Sequence, residues 1–365
     1  MTSEKKRMLG AGLLVGLLGG VLVLLGNPKN MGVCVACFLR DIGGALGLHR
    51  AEIVQNIRLE IPGFILGSFL AALAFKEFRP RGGSSPILRF FMGAMVRIGA
   101  LVFLGCPLRM VLRLAAGDLN ALVGLLGFIS GIAVGIYFLK KGFSLGRSYP
   151  LNKVAGATGP IFAIFLVVLA LVAPAFIFQS ESGPGSMSAP FIYSLGAGLL
   201  IGVAAQRTRL CMVGGIRDMI MFKDNHLLSG FAAIFVVALI GNLVTGNFNL
   251  GFTEQPIAHT NHFYNYLGML ATGLGAALLG GCPLRQLILA GEGDSDAMVT
   301  VMGLIVGAAT AHNFGLAASG AGVPVNGQIA NWVILALLVV IGLGARETIR
   351  VKRAHTKNTG KEVRA

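Results

Sequence analysis

This sequence has few charged residues. Asp, Glu, Lys and Arg make up only 12% of its 365 residues, against about 25% in an ordinary soluble protein. Apolar residues account for 55%, and apolar runs long enough to cross a bilayer recur from one end to the other. A soluble domain could not hide this much apolar surface. The composition therefore predicts an all-α polytopic membrane protein embedded in a lipid bilayer.

Several classes of function are disfavoured by motifs that do not occur. The net charge is +15, but the basic patches interleaved with aromatic residues that mark nucleic-acid binding are absent. The phosphate-binding pattern Gly-x-x-x-x-Gly-Lys-Ser/Thr does not occur, so any drive by ATP would need a partner. The five cysteines and six histidines form no four-ligand zinc pattern. We therefore expect no nucleic acid, no metal and no other cofactor.

Two cysteine motifs occur twice along the chain. The pentapeptide Gly-Cys-Pro-Leu-Arg surrounds Cys106 and Cys282, and Gly-Asp follows each copy at the same distance. The pattern Cys-x5-Arg-Asp begins at Cys34 and again at Cys211. The second copy lies 176 residues after the first for one motif and 177 residues after it for the other. This regular spacing predicts an internal duplication with thiols at equivalent places in both halves.

Ten apolar spans are predicted, five in each half. They cover residues 8–25, 60–76, 87–104, 120–139, 160–178, 190–207, 228–245, 263–280, 297–314 and 329–346. Lys and Arg concentrate at both ends and in alternate loops, as is typical of cytoplasmic segments, so both termini are predicted to be cytoplasmic. An odd number of spans in each half makes the second half enter from the opposite face, which predicts an inverted 5+5 repeat.

The duplication divides the chain into a first repeat at 1–180, a second inverted repeat at 186–348 and a basic cytoplasmic tail at 349–365. The cysteine segments are too short and too polar to span a bilayer, since a helix over residues 107–116 would be only about 15 Å long. We interpret all four as re-entrant half-helices, which are tolerated at membrane depth only where they line a cavity. They lie near residues 30–48, 105–117, 209–221 and 281–293.

The Gly-Cys-Pro-Leu-Arg motif is typical of the start of a helix. Gly permits a sharp turn, Cys takes the cap and Pro suits the first helical position, and Gly117 or Gly293 then ends the short helix. The amide groups and dipole at such a tip favour an anion or a thiolate, and Arg109 or Arg285 would add a positive charge. The motif predicts an anion-accepting thiol site that is built twice. The alternative is that each cysteine fills a tight turn as a small apolar residue.

Other polar residues in apolar surroundings have two interpretations each. Arg97 lies inside an apolar span, where an arginine faces the bundle interior, a partner or water, and it could also attract anions. The Arg-Asp pairs are expected to neutralise each other at a re-entrant turn. Cys37 has no counterpart in the second half, so it either resolves an oxidised Cys34 or fills space. His312 is expected to cap a helix or to hydrogen-bond within the bundle.

At these motifs the chain resembles the YeeE/YedE family of sulphur-transport membrane proteins, and it is most similar to the selenium-associated YedE branch. The resemblance covers nearly the whole chain and rests on the two cysteine motifs and the duplicated layout. It implies uptake of thiosulfate or a related reduced sulphur species. It also implies that Cys106, Cys211 and Cys282 are relay cysteines on re-entrant loops, with Cys34 as the repeat mate of Cys211.

Two functions remain open. The first is a transporter that takes up a small sulphur- or selenium-containing oxyanion, such as thiosulfate, through a cysteine-lined central pathway. The alternative is a membrane sulphur carrier or sulphurtransferase-like protein that hands a persulfide to a cytoplasmic acceptor. We favour transport, and therefore expect no enzymatic activity. The substrate-binding candidates are Cys106, Cys282, Cys211, Cys34, Arg109, Arg285 and Arg97.

The expected setting is the inner membrane of a bacterial or archaeal cell, because the basic start of the chain and its long apolar run favour a retained signal-anchor helix over a cleaved signal peptide. A small cytoplasmic sulphurtransferase-like protein is considered as a partner. A structural subunit with no substrate of its own would not explain the duplicated cysteines.

The inverted arrangement predicts which thiols an impermeant reagent reaches from outside. If any thiol reacts, the first-half cysteines Cys34, Cys37 or Cys106 should be labelled before Cys211 or Cys282. The measurement is mass spectrometry of intact cells treated with a charged maleimide. Preferential labelling of Cys282 from the outer face would contradict the inverted repeat.

Overall fold

The computed structural model describes the backbone of residues 3–362 and the side chains of residues 3–344. The basic tail at 349–365 therefore lies outside the residues whose side chains are described. Apart from a short 3-10 turn, Glu52–Val54, and an antiparallel ladder between β1 (Arg81–Gly82) and β2 (Tyr149–Pro150), the regular structure of the described backbone is α-helical.

Ten helices are long. They are α1 (Ser3–Leu24), α3 (Glu60–Ala74), α4 (Pro86–Phe103), α6 (Asn120–Lys140), α8 (Thr158–Val172), α10 (Phe191–Thr208), α12 (His226–Val244), α13 (His262–Leu279), α15 (Ser295–Asn313) and α16 (Val325–Glu362). Six helices are short. They are α2 (Val35–Ala45), α5 (Pro107–Ala115), α7 (Lys153–Gly156), α9 (Gly183–Ser186), α11 (Met212–Phe222) and α14 (Pro283–Gly291).

Within the described residues, eight helical stretches are long and apolar enough to cross a membrane. The chain is therefore a multi-pass helical membrane protein. The helices α3 and α8 have only 15 residues each, and such a helix is about 22 Å long, shorter than the hydrocarbon core. The predicted span at 160–178 is too long, because α8 ends at Val172, where Ala173 turns left-handed and Pro174 follows. Ten membrane spans thus stay a prediction.

The two halves pack against each other through pairs of helices, and interchanging the halves turns one pair into another. The helix α6 packs on α13 and α4 packs on α15, while α3 packs on α10 and α1 packs on α12. Because α4 and α13 hold the same place before the two pentapeptides, and the other helices correspond likewise, each contact has a counterpart when the halves are interchanged. The helices α4 and α13 also pack against each other. The core is therefore shared between the halves.

The loops gather into two layers, one at each end of the long helices. In the basic layer, β1 pairs with β2, and Arg207 Nη1 lies 3.1 Å from Glu77 Oε1. In the opposite layer, the 26–59 segment meets the 173–190 loop, where Asn56 Nδ2 donates to Gly185 O at 2.9 Å. The Lys- and Arg-rich loops 77–89 and 140–153 thus lie together, as the charge pattern predicts.

The short cysteine-bearing helices α5 and α14 each lie against loops of one layer. The end of α4 contacts the 246–262 loop, where His259 Nε2 donates to Val102 O at 2.8 Å. The end of α5 contacts the same loop, where Asn249 N donates to Ala116 O at 2.9 Å. The helix α14 is placed likewise in the basic layer, where Glu292 O accepts from Arg79 N at 2.9 Å. Burial lowers the pKa of His259 and favours its neutral ring.

Glycine allows α3 and α10 to approach closely. A Cβ atom on Gly198 would lie 2.7 Å from Glu60 O and 2.9 Å from Gly63 Cα, whereas Gly196, on the same helix, faces open space. Contact at this distance excludes any larger side chain on the facing surface of α10.

We therefore expect Gly198→Val to destabilise the protein by about 1–3 kcal/mol because the added methyl groups force the helices apart. Gly196→Val should change stability by less than about 0.5 kcal/mol and serves as the control. Thermal unfolding of the two purified variants in detergent is the measurement. Equal unfolding midpoints for both would contradict the close packing.

Candidate functional site

Each repeated cysteine immediately precedes a short helix. Cys34 is the cap of α2, Cys106 of α5, Cys211 of α11 and Cys282 of α14, and all four have extended backbone. In the two pentapeptide copies proline is the first helical residue, and a left-handed glycine follows the helix end. The cap position predicted for the cysteine and the helix ends predicted for the glycines are confirmed. The fold thus places a thiol at four helix N-termini.

Two of these thiols, Cys34 and Cys106, form the first-half thiol cluster together with Cys37. The sulphur atoms of Cys34 and Cys37 are 2.9 Å apart, and the thiol of Cys106 is a near neighbour of that of Cys34. The Cys37 amide donates to Cys34 Sγ at 3.2 Å. All three are free thiols with at most 1% of their surface exposed. Cys37, which has no counterpart in the second half, thus lies directly against Cys34.

The second-half thiol pair, Cys211 and Cys282, is a smaller copy of the same arrangement. Its sulphur atoms are 3.8 Å apart. The amide of Gly214 donates to Cys211 Sγ at 3.4 Å, as the amide of Cys37 does to Cys34. Gly214 is the residue that replaces Cys37 in the second copy. Both copies therefore join the cysteine of one motif to the cysteine of the other.

Arg97 reaches the first-half thiol cluster from α4. Its Nη1 donates to Ala36 O, in the first turn of α2, and its Nε donates to Leu304 O at 2.8 Å. Its Nη2 is buried and has no hydrogen-bond partner among the described residues. One N–H face of a buried guanidinium is thus left unsatisfied beside the thiols, which is unusual for a native structure.

Arg109 reaches the same cluster from α5. Its guanidinium donates to Leu104 O, to Asn30 O at 2.9 Å and to Ile257 O at 3.1 Å. Its Nη1 also lies 3.7 Å from Cys37 Sγ. The side chain is fully buried. It therefore ties three segments of backbone together next to the thiols.

Neither Arg97 nor Arg109 forms an ion pair with a carboxylate among residues 3–344. The other buried arginines of the first half do form ion pairs. Arg40 and Arg58 share Asp41 at 2.7 and 2.8 Å, and Arg113 lies 2.6 Å from Asp118. An unpaired buried charge is costly, so the first-half thiol cluster carries excess positive charge that an anion would compensate.

Arg285, the copy of Arg109, is held differently. Its Nη1 and Nη2 lie 3.1 and 3.4 Å from the two carboxylate oxygens of Glu292, beyond the far end of α14. Sequence reasoning missed Glu292. A comparison of the two halves could have found Glu292, because the first copy has Ala116 at the equivalent place, 176 residues earlier.

A basic vestibule opens in the basic layer and reaches the second-half thiol pair. Its volume is about 640 Å³, and Cys211 forms part of its wall. Its titratable lining residues are the cationic or basic Arg7, Arg207, Arg209, Arg217, His226 and Arg285 and the carboxylates Glu4, Glu77, Asp218 and Asp224. At its edge, the hydrogen bond from Gln206, followed by Arg207, lowers the pKa of Glu77. The vestibule gives Cys211 a polar approach in which five arginines outnumber four carboxylates by one.

His312 does not make the contact expected of it. Its ring stacks on His49 with centroids 4.6 Å apart, and its Nε2 has no hydrogen-bond partner among the described residues. His49 donates instead from Nε2 to Arg40 O at 3.0 Å, since its Nδ1 accepts from Ala51 N. No cluster of three or more metal-ligating side chains occurs in the described part of the chain.

Comparison with known proteins finds a similarity in the second half of the chain. Residues 207–363 match the family model described as sulphur transport. The second half of this chain is therefore similar to the YeeE/YedE sulphur-transport family. The matched region contains Cys211, Cys282 and Arg285, so the resemblance seen at the motifs is confirmed.

Two curated relatives carry the name thiosulfate transporter TsuA. The protein from Spirochaeta thermophila is 34% identical over 100 residues, which is 27% of this chain and 30% of that protein. The protein from Escherichia coli is 31% identical over 96 residues, which is 26% of this chain and 27% of that protein. The matched segments thus span less than a third of the length of either relative.

The paired Arg-Asp motifs differ in burial, which predicts different costs for the same substitution. Asp41 is fully buried and serves two guanidinium groups, so Asp41→Asn should destabilise the protein by about 3–5 kcal/mol. The matched change in the second copy, Asp218→Asn, breaks a pair whose arginine side chain is 40% exposed and should cost less than about 1 kcal/mol. Thermal unfolding of both variants is the measurement, and equal losses would contradict the assignment.

Proposed function

We propose that this protein transports a small sulphur- or selenium-containing oxyanion, such as thiosulfate, along a pathway lined by the repeated cysteines. The substrate would contact the first-half thiol cluster, then the second-half thiol pair, and would leave through the basic vestibule. The proposed residues are Cys34, Cys106, Cys211, Cys282, Arg97, Arg109 and Arg285. The family match and the names of the two relatives support transport of a sulphur compound.

The observation that carries the proposal is the juxtaposition of two unpaired buried guanidinium groups with three thiols. Thiosulfate is a dianion with one soft sulphur end and one hard oxygen end. Its charge would offset those of Arg97 and Arg109, whose N–H groups would hydrogen-bond its oxygens. Its soft end would meet the thiols of Cys34 and Cys106. Selenosulfate has the same charge and a similar soft end.

The pairing of equivalent elements supports an inverted 5+5 repeat. Helix contacts exchange when the halves are interchanged, and the basic loops lie together in one layer. In this proposal residues 1–180 and 186–348 are the two repeats, α3 and α8 complete ten spans, and the basic layer and both termini face the cytoplasm of a bacterial or archaeal cell. The short helices α2, α5, α11 and α14 are the four re-entrant segments.

The alternative, a sulphur carrier, is favoured by one observation, the 2.9 Å contact between the free thiols Cys34 and Cys37. Attack of one thiolate on the outer sulphur of thiosulfate would form a persulfide and release sulfite. The adjacent thiolate could then take over that outer sulphur, with the first cysteine leaving as a thiolate. Mass spectrometry after exposure to thiosulfate distinguishes the functions. Stable persulfides on Cys211 or Cys282, without flux across the membrane, would support the carrier and a cytoplasmic sulphurtransferase-like acceptor.

Uptake into proteoliposomes tests the proposed function. Labelled thiosulfate and selenite should be compared side by side in vesicles with and without the full-length protein. Flux that depends on the protein and saturates with one of these anions supports transport, and the faster anion identifies the substrate class. If neither anion crosses faster than in empty vesicles, the transport proposal is wrong.

Removal of a pentapeptide thiol should abolish most of this uptake. If the anion passes Cys106 and Cys282 in series, then Cys106→Ala and Cys282→Ala should each be severely impaired. The double variant should be little worse than either single variant, because the effects of steps in series do not add. Normal uptake by both single variants, at wild-type expression and monodispersity, would reduce the pentapeptides to packing turns.

A further inference from the structure

The two pentapeptide helices hold the same arginine in opposite directions. Arg109 folds back over the start of α5, where it donates to Leu104 O and lies 3.7 Å from Cys37 Sγ. Arg285 begins one turn into α14 and runs to the other end of that helix, where both its terminal nitrogens meet the carboxylate of Glu292. One guanidinium therefore lies at the thiols without a carboxylate partner, whereas the other is paired with a carboxylate from the far end of its helix.

The difference has a simple origin in the sequence. The first copy has Ala116 where the second has Glu292, so no carboxylate competes for Arg109. Glu292 also lies 3.9 Å from Arg81, but Arg81 is closer to Asp294, at 2.8 Å. Arg285 is therefore the main partner of Glu292. The two side chains are only 14% and 12% exposed, so water screens their attraction less than that of a surface pair.

We propose that Glu292 is a counter-ion that offsets the charge of Arg285 and so makes the second-half thiol pair release the anion more readily than the first-half thiol cluster. The inference rests on the proposed function, because it assigns unequal affinities to its two thiol sites. A bound anion at Cys282 must compete with a carboxylate for the same guanidinium. No such competitor acts at Arg97 or Arg109 among the described residues.

Unequal sites suit passage in one direction along the chain of thiols. The first site compensates its buried charge by holding the anion, and the second is already neutral and exchanges the anion with the basic vestibule. Glu292 thus changes the rate of release. It does not change the final distribution of the anion, because a protein that returns to its starting state cannot alter the free-energy difference of the transported ion.

The test is Glu292→Gln, which keeps the size of the side chain and removes its charge. With the charge of Arg285 no longer offset, we expect the dissociation constant for thiosulfate to fall about tenfold, as one charge-assisted hydrogen bond would produce. The maximal uptake rate should fall with it, because release becomes slow. Equilibrium binding to the purified full-length protein and uptake into proteoliposomes are the two measurements.

Glu77→Gln is the matched control. It removes the same charge from the rim of the same vestibule, but it frees Arg207 instead of Arg285. We expect it to change the dissociation constant by less than about twofold, since exposed ion pairs contribute little. A general electrostatic effect of the vestibule would instead tighten binding equally in both variants, and that result would overturn the proposal.

The double variant Glu292→Gln/Arg285→Gln shows whether Glu292 acts through Arg285. The gain in affinity should disappear in it, because no guanidinium remains to be released. Retention of the gain would overturn the proposal. If binding tightens as expected but no flux is seen, the counter-ion proposal is supported and transport is refuted. If flux is seen but the Glu292 and Glu77 variants behave alike, transport is supported and the counter-ion proposal is refuted. Absence of saturable binding by every form would overturn both.

Discussion

A guanidinium group that is buried away from water must find partners inside the protein, and much of the first half is organised by this requirement. Arg97 joins α4 to α2 and α15 through the carbonyl groups of Ala36 and Leu304. Arg109 joins the start of α5 to loops on either side. Arg58 holds the 184–187 loop while it pairs with Asp41. These bonds fix the non-helical backbone around the thiols, which would otherwise be unsatisfied in a bilayer.

The same requirement separates the two halves of the molecule. Their backbones are built alike, since a cysteine caps each short helix and the helix pairs exchange. Their charges are not alike, because Arg97 has Gly273 at the equivalent place in the second half and Arg285 has its own carboxylate. A duplicated fold thus carries one thiol site with excess positive charge and one that is nearly neutral. In the proposed function, these unequal sites would bind the anion at one and release it at the other.

Several features were predictable from residues alone because their causes are local. The cysteine caps, the proline at the first helical position and the glycine after each helix depend on backbone preferences over a few residues, and all were predicted. The end of α8 was misplaced because the apolar run continues past Ala173, and hydropathy does not register a left-handed residue followed by Pro174. His312 was misjudged since its neighbour, His49, is distant in the sequence.

The sequence by itself determined that the chain is a helical membrane protein, that it is duplicated, and that thiols cap the two pentapeptide helices, since hydropathy, repetition and capping are properties of short segments. Only the tertiary structure decided which thiols lie in contact and which buried arginines have no carboxylate partner. Cys34 is brought to Cys37 and Cys106, and Arg285 is brought to Glu292, by the packing of helices. Charge compensation depends on distances between side chains, and those distances are set by the fold as a whole.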